Sequence, residues 1–294
     1  MWGASWTPSG GGCFRKSEPA DRLVRLTFGN LSLEGVSRGG DRTWFRVHPP
    51  GLAFDVGRGA LGLAGARDVF ITHGHLDHCL GLPFLLSYRA RHGGGPTRVG
   101  CPKPIADSLE AWLHMAARLE GAQYDFDLVG LEAGDRIPVA PDLTVEAFAT
   151  PHVVPSLGYH LIHSKTQLVA AHSKTPGTEL AELRRRGVEI EEAVEEDWLS
   201  YTGDTSAAVL DEEPRLLGAR ILLIECTFLN PDHRERAELY GHVHIEDLAE
   251  RAERFDNEQV VLFHLSRRHS SLELEEAVNE KLGPLAERVL LAVA

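Results

Sequence analysis

The sequence is poor in cysteine and has no long apolar run, and each shortage excludes a class of protein. Its four cysteines are scattered and form no Cys-x-x-Cys pair, which argues against a disulfide framework and a cysteine zinc cage. The longest apolar run, from Cys79 to Tyr88, is far shorter than the roughly 20 residues of a membrane-spanning helix. The N-terminus does not resemble a secretory signal. We therefore expect a reduced, cytoplasmic protein that does not enter a membrane.

Positive charge is also scarce. The chain carries 30 Lys and Arg residues against 43 Asp and Glu residues, a formal net charge of −13. Non-specific binding to nucleic acid needs a positive field, so this charge balance argues against such binding. Binding through a local basic patch remains open. The hydrophobic content of 43% is ordinary for a globular protein. Because no flexible linker divides the chain, we predict one domain over residues 21–294 after a loose arm at residues 1–20.

Short apolar runs alternate with helical patterns along the chain. The predicted strands are Arg22–Phe28, Leu52–Asp55, Val69–Thr72, Leu143–Thr150, Leu199–Thr202, Ile221–Glu225 and Gln259–Leu265. The predicted helices are Lys103–Leu119, Glu179–Ala193, Ile245–Phe255 and a last helix that begins with a capping box at Ser270 and ends near Glu287. This alternation predicts an α/β protein with sheets inside and helices outside.

Four side chains that can bind metal follow the predicted strand Val69–Thr72. They are His73, His75, Asp77 and His78, all within six residues. His73 and His75 are two residues apart, so an extended backbone points both to the same side. Imidazole nitrogen and carboxylate oxygen suit Zn²⁺, and also Mn²⁺ or Fe²⁺. The segment therefore predicts a metal site at the end of a strand, where α/β folds hold their ligands.

The pattern His-x-His-x-Asp-His after an apolar strand resembles the metallo-β-lactamase superfamily. Three later residues match the other metal-binding positions of that family in the expected order. They are His152 after the strand Leu143–Thr150, Asp204 in a Thr-Gly-Asp-Thr segment, and His264 near the end of the last predicted strand. The resemblance covers about residues 23–269. It implies a four-layer αββα sandwich with a two-metal site along one edge.

The same resemblance implies how seven residues would share two divalent metal ions, with Zn²⁺ the first choice. His73, His75 and His152 would hold one ion, Asp77, His78 and His264 would hold the other, and Asp204 would bridge them. Two ions about 3.5–4 Å apart can bind one hydroxide, and a bound metal lowers the pKa of water to about 7. The resemblance therefore implies a metal-dependent hydrolase.

Four segments are similar to ribonuclease Z, the endonuclease that processes tRNA 3′ ends. They run from His152 to Tyr159, from Tyr201 to Thr205, from Ile224 to Phe228 and from His264 to Arg268. The four segments occur in the same order as in ribonuclease Z. This favours that branch of the superfamily over its lactam, lactone and thioester hydrolases. It implies a phosphodiesterase that acts on RNA 3′ ends. A homodimer is implied by the resemblance alone.

The resemblance also assigns roles in phosphodiester cleavage. Asp77 would orient the attacking water or accept its proton. His242, paired with Glu225, would give a proton to the leaving 3′-oxygen, because contact with a carboxylate raises the pKa of a histidine. The alternative for His242 is a loop histidine without a role, since the motif around it is degenerate.

Three further residues have two interpretations each. Arg268 would hold a phosphate oxygen through a bidentate contact, or it is an ordinary solvent-exposed arginine. Ser156 would form a hydrogen bond beside the metal loop, and Tyr159 would line the substrate pocket. Both Ser156 and Tyr159 would otherwise serve only in packing.

Departures from ribonuclease Z leave the substrate open. The Lys-rich arm with which that family grips tRNA is missing, because residues 160–200 hold only 41 positions and are largely acidic. An acidic segment cannot neutralise phosphates, which favours a small substrate such as a cyclic nucleotide, lactone or thioester. A second alternative is a metal-binding relative without catalysis. The complete set of ligand positions argues against this last alternative.

Overall fold

The computed structural model describes residues 23–172 and 175–293, so the predicted arm at residues 1–20 lies outside the described residues. Within these ranges the strands are β1 (Val24–Phe28), β2 (Leu31–Arg38), β3 (Arg42–His48), β4 (Leu52–Phe54), β5 (Asp68–Phe70), β6 (Thr97–Pro102), β7 (Phe126–Leu131), β8 (Arg136–Ala140), β9 (Leu143–Ala149), β10 (Leu157–Leu168), β11 (Glu191–Tyr201), β12 (Ile221–Glu225), β13 (Gln259–Phe263) and β14 (Val289–Leu291).

The α-helices of the described residues are α1 (Leu76–Cys79), α2 (Leu82–Arg91), α3 (Lys103–Glu120), α4 (Gly177–Arg185), α5 (Val209–Glu212), α6 (Arg234–Tyr240), α7 (Ile245–Ala249) and α8 (Ser271–Lys281). Short 3₁₀ turns lie at Leu61–Gly65, Ala170–His172, Pro214–Gly218, Pro231–His233, Ala252–Arg254 and Gly283–Arg288. Among the described helices, none is long and apolar enough to cross a membrane.

The strands form two seven-stranded sheets. The first follows the order β1 to β7, and the second follows the order β14 to β8. Each sheet is half antiparallel and half parallel: β4 to β7 and β11 to β14 pair in parallel, and the other neighbours pair as antiparallel strands. Parallel neighbours need crossover connections, and these connections contain the helices that cover the outer faces.

Aromatic rings fill the space between the two sheets. Phe45 and Phe54 of the first sheet meet Tyr201 of the second at ring distances of 5.5 Å and 5.4 Å. Phe263 lies 5.6 Å from Phe45. All four rings are fully buried, and each buried aromatic side chain stabilises the fold by about 1.5–3 kcal/mol. The sheets are therefore packed face to face over a shared inner core.

Two further apolar layers lie outside the sheets. Leu82 and Leu113 attach α2 and α3 to the first sheet, and Leu248 and Leu274 attach α7 and α8 to the second. The layers are thus helix, sheet, sheet and helix. The predicted four-layer αββα sandwich is confirmed.

Most predicted elements are confirmed. The predicted strands correspond to β1, β4, β5, β9, β12, β13 and the inner end of β11, while β2, β3, β6, β7, β8, β10 and β14 were not predicted. The predicted helix at Lys103–Leu119 is α3. The capping box at Ser270 opens α8, with the Ser270 amide donating to the Glu273 carboxylate at 2.7 Å. The helix ends at Lys281, earlier than predicted, and a 3₁₀ turn follows.

The predicted helix Glu179–Ala193 is wrong in its second half. Helix α4 ends at Arg185, and β11 begins at Glu191. The acidic run forms a strand because its backbone pairs with β10, where Leu168 lies opposite Glu191 and His163 opposite Glu196. Residues 164–168 and 191–195 pair only with each other among the described strands. We call these two segments the ribbon; α4 lies in the connection between them.

Candidate active site

Loops after four strands bring the predicted metal ligands to one edge of the sandwich. His73, His75, Asp77 and His78 follow β5, His152 follows β9, Asp204 follows β11 and His264 follows β13. The turn before Asp204 requires glycine. Gly203 has a φ of +62°, and a Cβ there would lie 2.7 Å from the Thr72 side chain. This close approach holds the Asp204 loop of one sheet against the His73 loop of the other.

One group of ligand atoms comes from His73, His75, His152 and Asp204. One atom from each residue lies within 4.8 Å of all the others. The His73 ring lies 4.6 Å from that of His75 and 5.0 Å from that of His152. Asp204 Oδ2 lies 3.8 Å from His73 Nε2. Three imidazoles and a carboxylate at this spacing are a suitable donor set for a divalent ion.

A second group comes from Asp77, His78 and His264, whose ligand atoms also lie within 4.8 Å of one another. His264 Nε2 lies 3.2 Å from Asp77 Oδ2 and 3.3 Å from Asp204 Oδ2. The other oxygen of Asp204 lies 3.3 Å from His78 Nε2. Asp204 therefore stands between the two groups, in the position that a bridging ligand would take.

Unpartnered polar atoms show that this cluster fits a metal. Within the described part of the chain, His73 Nε2, His78 Nε2 and Asp204 Oδ1 are buried without a hydrogen-bond partner. Each such atom costs about 1–3 kcal/mol if nothing satisfies it. Because all three belong to one cluster of imidazoles and carboxylates, the cluster suits a divalent cation.

Burial and charge favour the metal-binding protonation states of Asp204, His73 and His152. His78 differs, because burial lowers its pKa but the carboxylates of Asp204 and Asp55 raise it well above its ordinary value. Burial alone would raise the pKa of Asp204, but His264 and His78 hold that pKa well below its ordinary value. Burial lowers the pKa of His73 and of His152. Ionised carboxylates and neutral imidazoles are the forms that coordinate a cation.

A second residue orients each of four ligand histidines through Nδ1. The partners are Thr72 Oγ1 for His73 at 2.9 Å, Asp55 Oδ2 for His78 at 2.8 Å, the Gly241 carbonyl for His152 at 3.0 Å and Thr227 Oγ1 for His264 at 2.8 Å. With Nδ1 engaged, Nε2 of each ring is left to face the cluster. Such partners fix ring orientation and tautomer in metal sites.

Asp55 is a functional residue that the sequence analysis did not identify. It is fully buried directly after β4, with a φ of +53°. Besides His78, it accepts hydrogen bonds from the Thr72 amide at 2.8 Å and the Tyr201 hydroxyl at 2.6 Å. The available signal was an aspartate directly after a buried strand, at the same edge as the His73 loop.

His242 lies beside the metal cluster and is paired with Glu225. The two are joined by a 2.6 Å contact between His242 Nδ1 and Glu225 Oε1, and the His242 ring stacks on that of His264 at 5.2 Å. Burial lowers the pKa of His242, but the Glu225 carboxylate overrides this effect and raises it to about 9. The contact with Glu225 therefore favours the protonated form of His242.

Thr227 links this pair to the metal cluster, and it was not predicted. Its hydroxyl donates to Glu225 Oε2 at 2.7 Å and lies 2.8 Å from His264 Nδ1. Since a metal-bound His264 would carry its proton on Nδ1, the threonine oxygen can accept from His264 and donate to Glu225. The contacts connect a ligand histidine with the protonated His242.

Comparison with known proteins agrees with this geometry. Residues 57–265 match the family model described as the beta-lactamase superfamily domain. The tRNase Z TRZ1 of Arabidopsis thaliana is 33% identical over 260 residues, covering 87% of this chain and 93% of that protein. The chain belongs to the ribonuclease Z branch of the β-lactamase superfamily. A ribonuclease Z of Staphylococcus aureus (strain MSSA476) is 27% identical, covering 76% of this chain and 80% of that protein.

Solved structures support the fold of this ribonuclease Z-like chain. The short form of human tRNase Z superposes with a TM-score of 0.59 at 17% identity, covering 88% of this chain and 95% of that one. The metallo-β-lactamase fold protein YhfI of Bacillus subtilis gives 0.61 at 15% identity, covering 90% and 96%. By family, the chain is a hydrolase of the phosphodiesterase type with a site for divalent metal.

The residues predicted to contact substrate have different outcomes in this ribonuclease Z-like structure. Tyr159 does not line a pocket, and that prediction is wrong. Its side chain is fully buried, stacks on Phe54 at 5.9 Å and donates to the Ile71 carbonyl at 2.7 Å. The packing alternative is correct, because the phenol supports the segment that leads into His73.

Ser156 and Arg268 lie near the site without lining it. Ser156 is half-buried and accepts a hydrogen bond from Thr150 Oγ1 at 2.8 Å, beside the loop of His152. Arg268 is exposed, and its backbone amide donates to Ser266 Oγ at 3.4 Å. Neither is among the described residues that line the cleft over the metal cluster. Their contact with substrate stays a prediction.

The cleft over the metal cluster has a volume of about 370 Å³. Its polar lining comes from the metal cluster and from His242, Thr227 and Ser266. Its apolar lining comes from Val153, Phe228 and Tyr240. The site therefore offers a charged centre and an apolar surface to the same substrate.

Proposed function

We propose that this protein is a metal-dependent endoribonuclease that hydrolyses a phosphodiester at the 3′ end of tRNA precursors. The observation that carries the proposal is the 2.6 Å contact between His242 and Glu225 beside the metal cluster. It keeps a proton on the imidazole at neutral pH. A ribose 3′-oxygen is a poor leaving group without a proton, so a general acid at this place suits RNA cleavage.

The proposed cofactor is a pair of divalent ions, most consistent with Zn²⁺. His73, His75 and His152 would hold one ion, Asp77, His78 and His264 the other, and Asp204 both. When bound, such ions neutralise charge on the phosphate oxygens and lower the pKa of water. The orphaned nitrogen and oxygen atoms of the cluster support this assignment.

The chain's own residues would supply orientation and proton transfer. Asp77 Oδ2 accepts from the Gly40 amide at 3.1 Å, which holds its carboxylate toward the cleft, where it would orient the attacking water or accept its proton. The water oxygen forms a bond to phosphorus, and the bond to the 3′-oxygen breaks. His242 gives its proton to that oxygen, leaving a 3′-hydroxyl and a 5′-phosphate, and Glu225 stabilises the imidazolium before transfer.

Relatives named tRNase Z and ribonuclease Z, in Arabidopsis and Staphylococcus, support the substrate assignment. The comparisons do not favour a small-substrate hydrolase, since the similarity to these nucleases covers most of the chain. We further propose that Arg268 and Ser156 approach the phosphates flanking the cut, where an exposed arginine can bind a phosphate oxygen.

Three coarser properties belong to the same proposal. Residues 21–294 would form one catalytic domain. A homodimer is supported by an exposed apolar stripe of Leu76, Leu80 and Phe84, which are 61%, 42% and 48% exposed. Comparing the sedimentation of the Phe84→Glu variant with that of the unmodified protein tests the dimer.

The free cysteines Cys79 and Cys101 fit a reducing compartment such as the cytoplasm.

The test is turnover of purified, metal-analysed protein on three substrates. They are an unprocessed tRNA precursor, a 2′,3′-cyclic nucleotide and bis-p-nitrophenyl phosphate. Cleavage of the precursor at the tRNA 3′ end supports the proposal. Cleavage of the small diesters alone would contradict the tRNA assignment and leave only the phosphodiesterase chemistry.

A further inference from the structure

The apolar lining of the cleft contains an exposed aromatic ring close to the proposed general acid. Tyr240 is the last residue of α6 and is 48% exposed, although large aromatic side chains are mostly buried. Its hydroxyl makes no hydrogen bond with any described residue. The Arg236 guanidinium lies over the ring, 5.9 Å from its centroid, and the Tyr240 side chain is part of the cleft lining.

The backbone fixes Tyr240 relative to the reacting groups. Gly241 caps helix α6 with a φ of +65°. The Gly241 amide donates to the Glu238 carbonyl at 3.3 Å, and the His242 amide donates to the Ala237 carbonyl at 2.9 Å. The Gly241 carbonyl accepts from His152 Nδ1. One turn thus carries the tyrosine, orients a ligand histidine and presents the proton donor. Such a termination motif is stiff because both amides are satisfied.

The position of the leaving oxygen decides which nucleotide meets this ring. His242 must come within about 3 Å of the 3′-oxygen to protonate it. Tyr240 is two residues away, which places its Cα within roughly 7 Å of that of His242. The base on the same ribose as the 3′-oxygen therefore falls within reach of the tyrosine ring.

We propose that Tyr240 is a stacking platform for the base of the nucleotide that carries the leaving 3′-oxygen, with Val153 and Phe228 completing its apolar surroundings. Stacking on an aromatic side chain tolerates every base, because each base has a π face. The site would then select nucleic-acid diesters over diesters without a base. This inference rests on the proposed function and specifies how the same cleft recognises its substrate.

The experiment compares two tRNA precursors that differ only in the nucleotide 5′ to the cut, which carries its base in one and is abasic in the other. Tyr240→Ala is expected to lower kcat/KM on the complete precursor roughly 5- to 100-fold, the range of aromatic stacking on one base. On the abasic precursor it should change kcat/KM less than about twofold, because the partner is already missing. Tyr240→Phe should act like the unmodified protein, since the ring is kept.

Leu239→Ala is the matched control. Leu239 precedes Tyr240 on the same helix, is 70% exposed and is not part of the cleft lining in the described residues. It should leave both rates unchanged. Equal losses on the two precursors after Tyr240→Ala, or a changed sedimentation coefficient, would overturn the stacking role while leaving the proposed function intact. Failure of the unmodified protein on both precursors would overturn the proposed function and the stacking role together.

Discussion

The two ends of the β10–β11 pair are built from the same strands but differ in burial and in charge. At the site end, Tyr159 and Tyr201 are fully buried and their hydroxyls support the metal loops. At the ribbon end, charged side chains pair with each other across the strands, as Lys165 does with Glu196. Buried side-chain contacts add to the backbone pairing at the site end. At the ribbon end exposed ion pairs add to it, each contributing about 0–1 kcal/mol.

This difference indicates where the chemistry is specified and where substrate handling can vary. The residues that orient His73, His78, His152 and His264 through Nδ1 are all buried or half-buried. Small changes in these residues should therefore alter the reaction. The ribbon end lies about 30 Å from the site end, at 3.3 Å per residue along the strands. Changes in the ribbon should therefore affect large substrates and leave small diesters unaffected.

The largest effect is expected from Asp204→Ala at the site end. The carboxylate lies between both ligand groups, so its loss should remove bound metal and lower kcat/KM on bis-p-nitrophenyl phosphate by on the order of 10³-fold or more. Metal content and turnover are measured together. Because the change shortens one side chain without adding bulk, far-UV circular dichroism should stay native. Undiminished turnover would contradict the two-metal assignment.

His242→Asn should cost about 10²–10⁴-fold on an RNA substrate, the range for loss of a general acid. On bis-p-nitrophenyl phosphate the loss should be below about tenfold, because nitrophenolate leaves without a proton. The ratio of the two losses is the measurement. Similar losses on both substrates would show that His242 acts through the metal cluster and not as an acid.

Asp55→Asn tests a contact that the sequence did not reveal. Asparagine tolerates a positive φ, so the substitution removes mainly the charge that faces His78. Loss of such an orienting partner typically lowers metal affinity about 10–100-fold. Competition with a chelator measures this affinity directly. Unchanged affinity would mean that packing alone orients His78.

Glu225→Gln should change the pH profile on RNA. The carboxylate raises the pKa of His242 to about 9, so the proton is present below that pH and is lost as the pH rises through it. With the Glu225 charge removed, the pKa of His242 falls, because burial lowers it and the main group that raises it is gone. We expect the alkaline decline in kcat/KM to move to lower pH, with about tenfold loss at pH 8. If the decline in kcat/KM stays near pH 9, it reflects the titration of a group other than His242.

The seven predicted ligand residues do lie together in the fold, and they could be chosen from the sequence because histidine and aspartate occur at fixed spacing in short motifs after strands. The sequence did not predict Asp55 and Thr227, since their partners His78 and His264 lie 23 and 37 residues away and meet them only in the folded protein. The helix expected at Glu179–Ala193 failed for a similar reason. Pairing with β10 determines the conformation of Glu191 and its successors, whatever their intrinsic helix preference.

The smallest effect is expected at the ribbon end. Glu191→Gln combined with Glu192→Gln removes two exposed negative charges, and the matched control is the exposed pair Glu275→Gln and Glu276→Gln on α8. Both double variants should keep the turnover of bis-p-nitrophenyl phosphate and shift Tm by less than about 4 °C.

The two double variants should differ only with a long anionic substrate. For a tRNA precursor at low salt, the ribbon variant should lower KM about two- to threefold, because fewer negative charges oppose the phosphates. The advantage should disappear at high salt, where the screening length falls to about 3 Å at 1 M. An equal decrease in KM for the α8 control would mean that the effect comes from net charge and not from the ribbon. A KM unchanged by the ribbon variant at low salt would mean that bound RNA never approaches the ribbon, and the two ends of the pair would then differ in structure without differing in substrate handling.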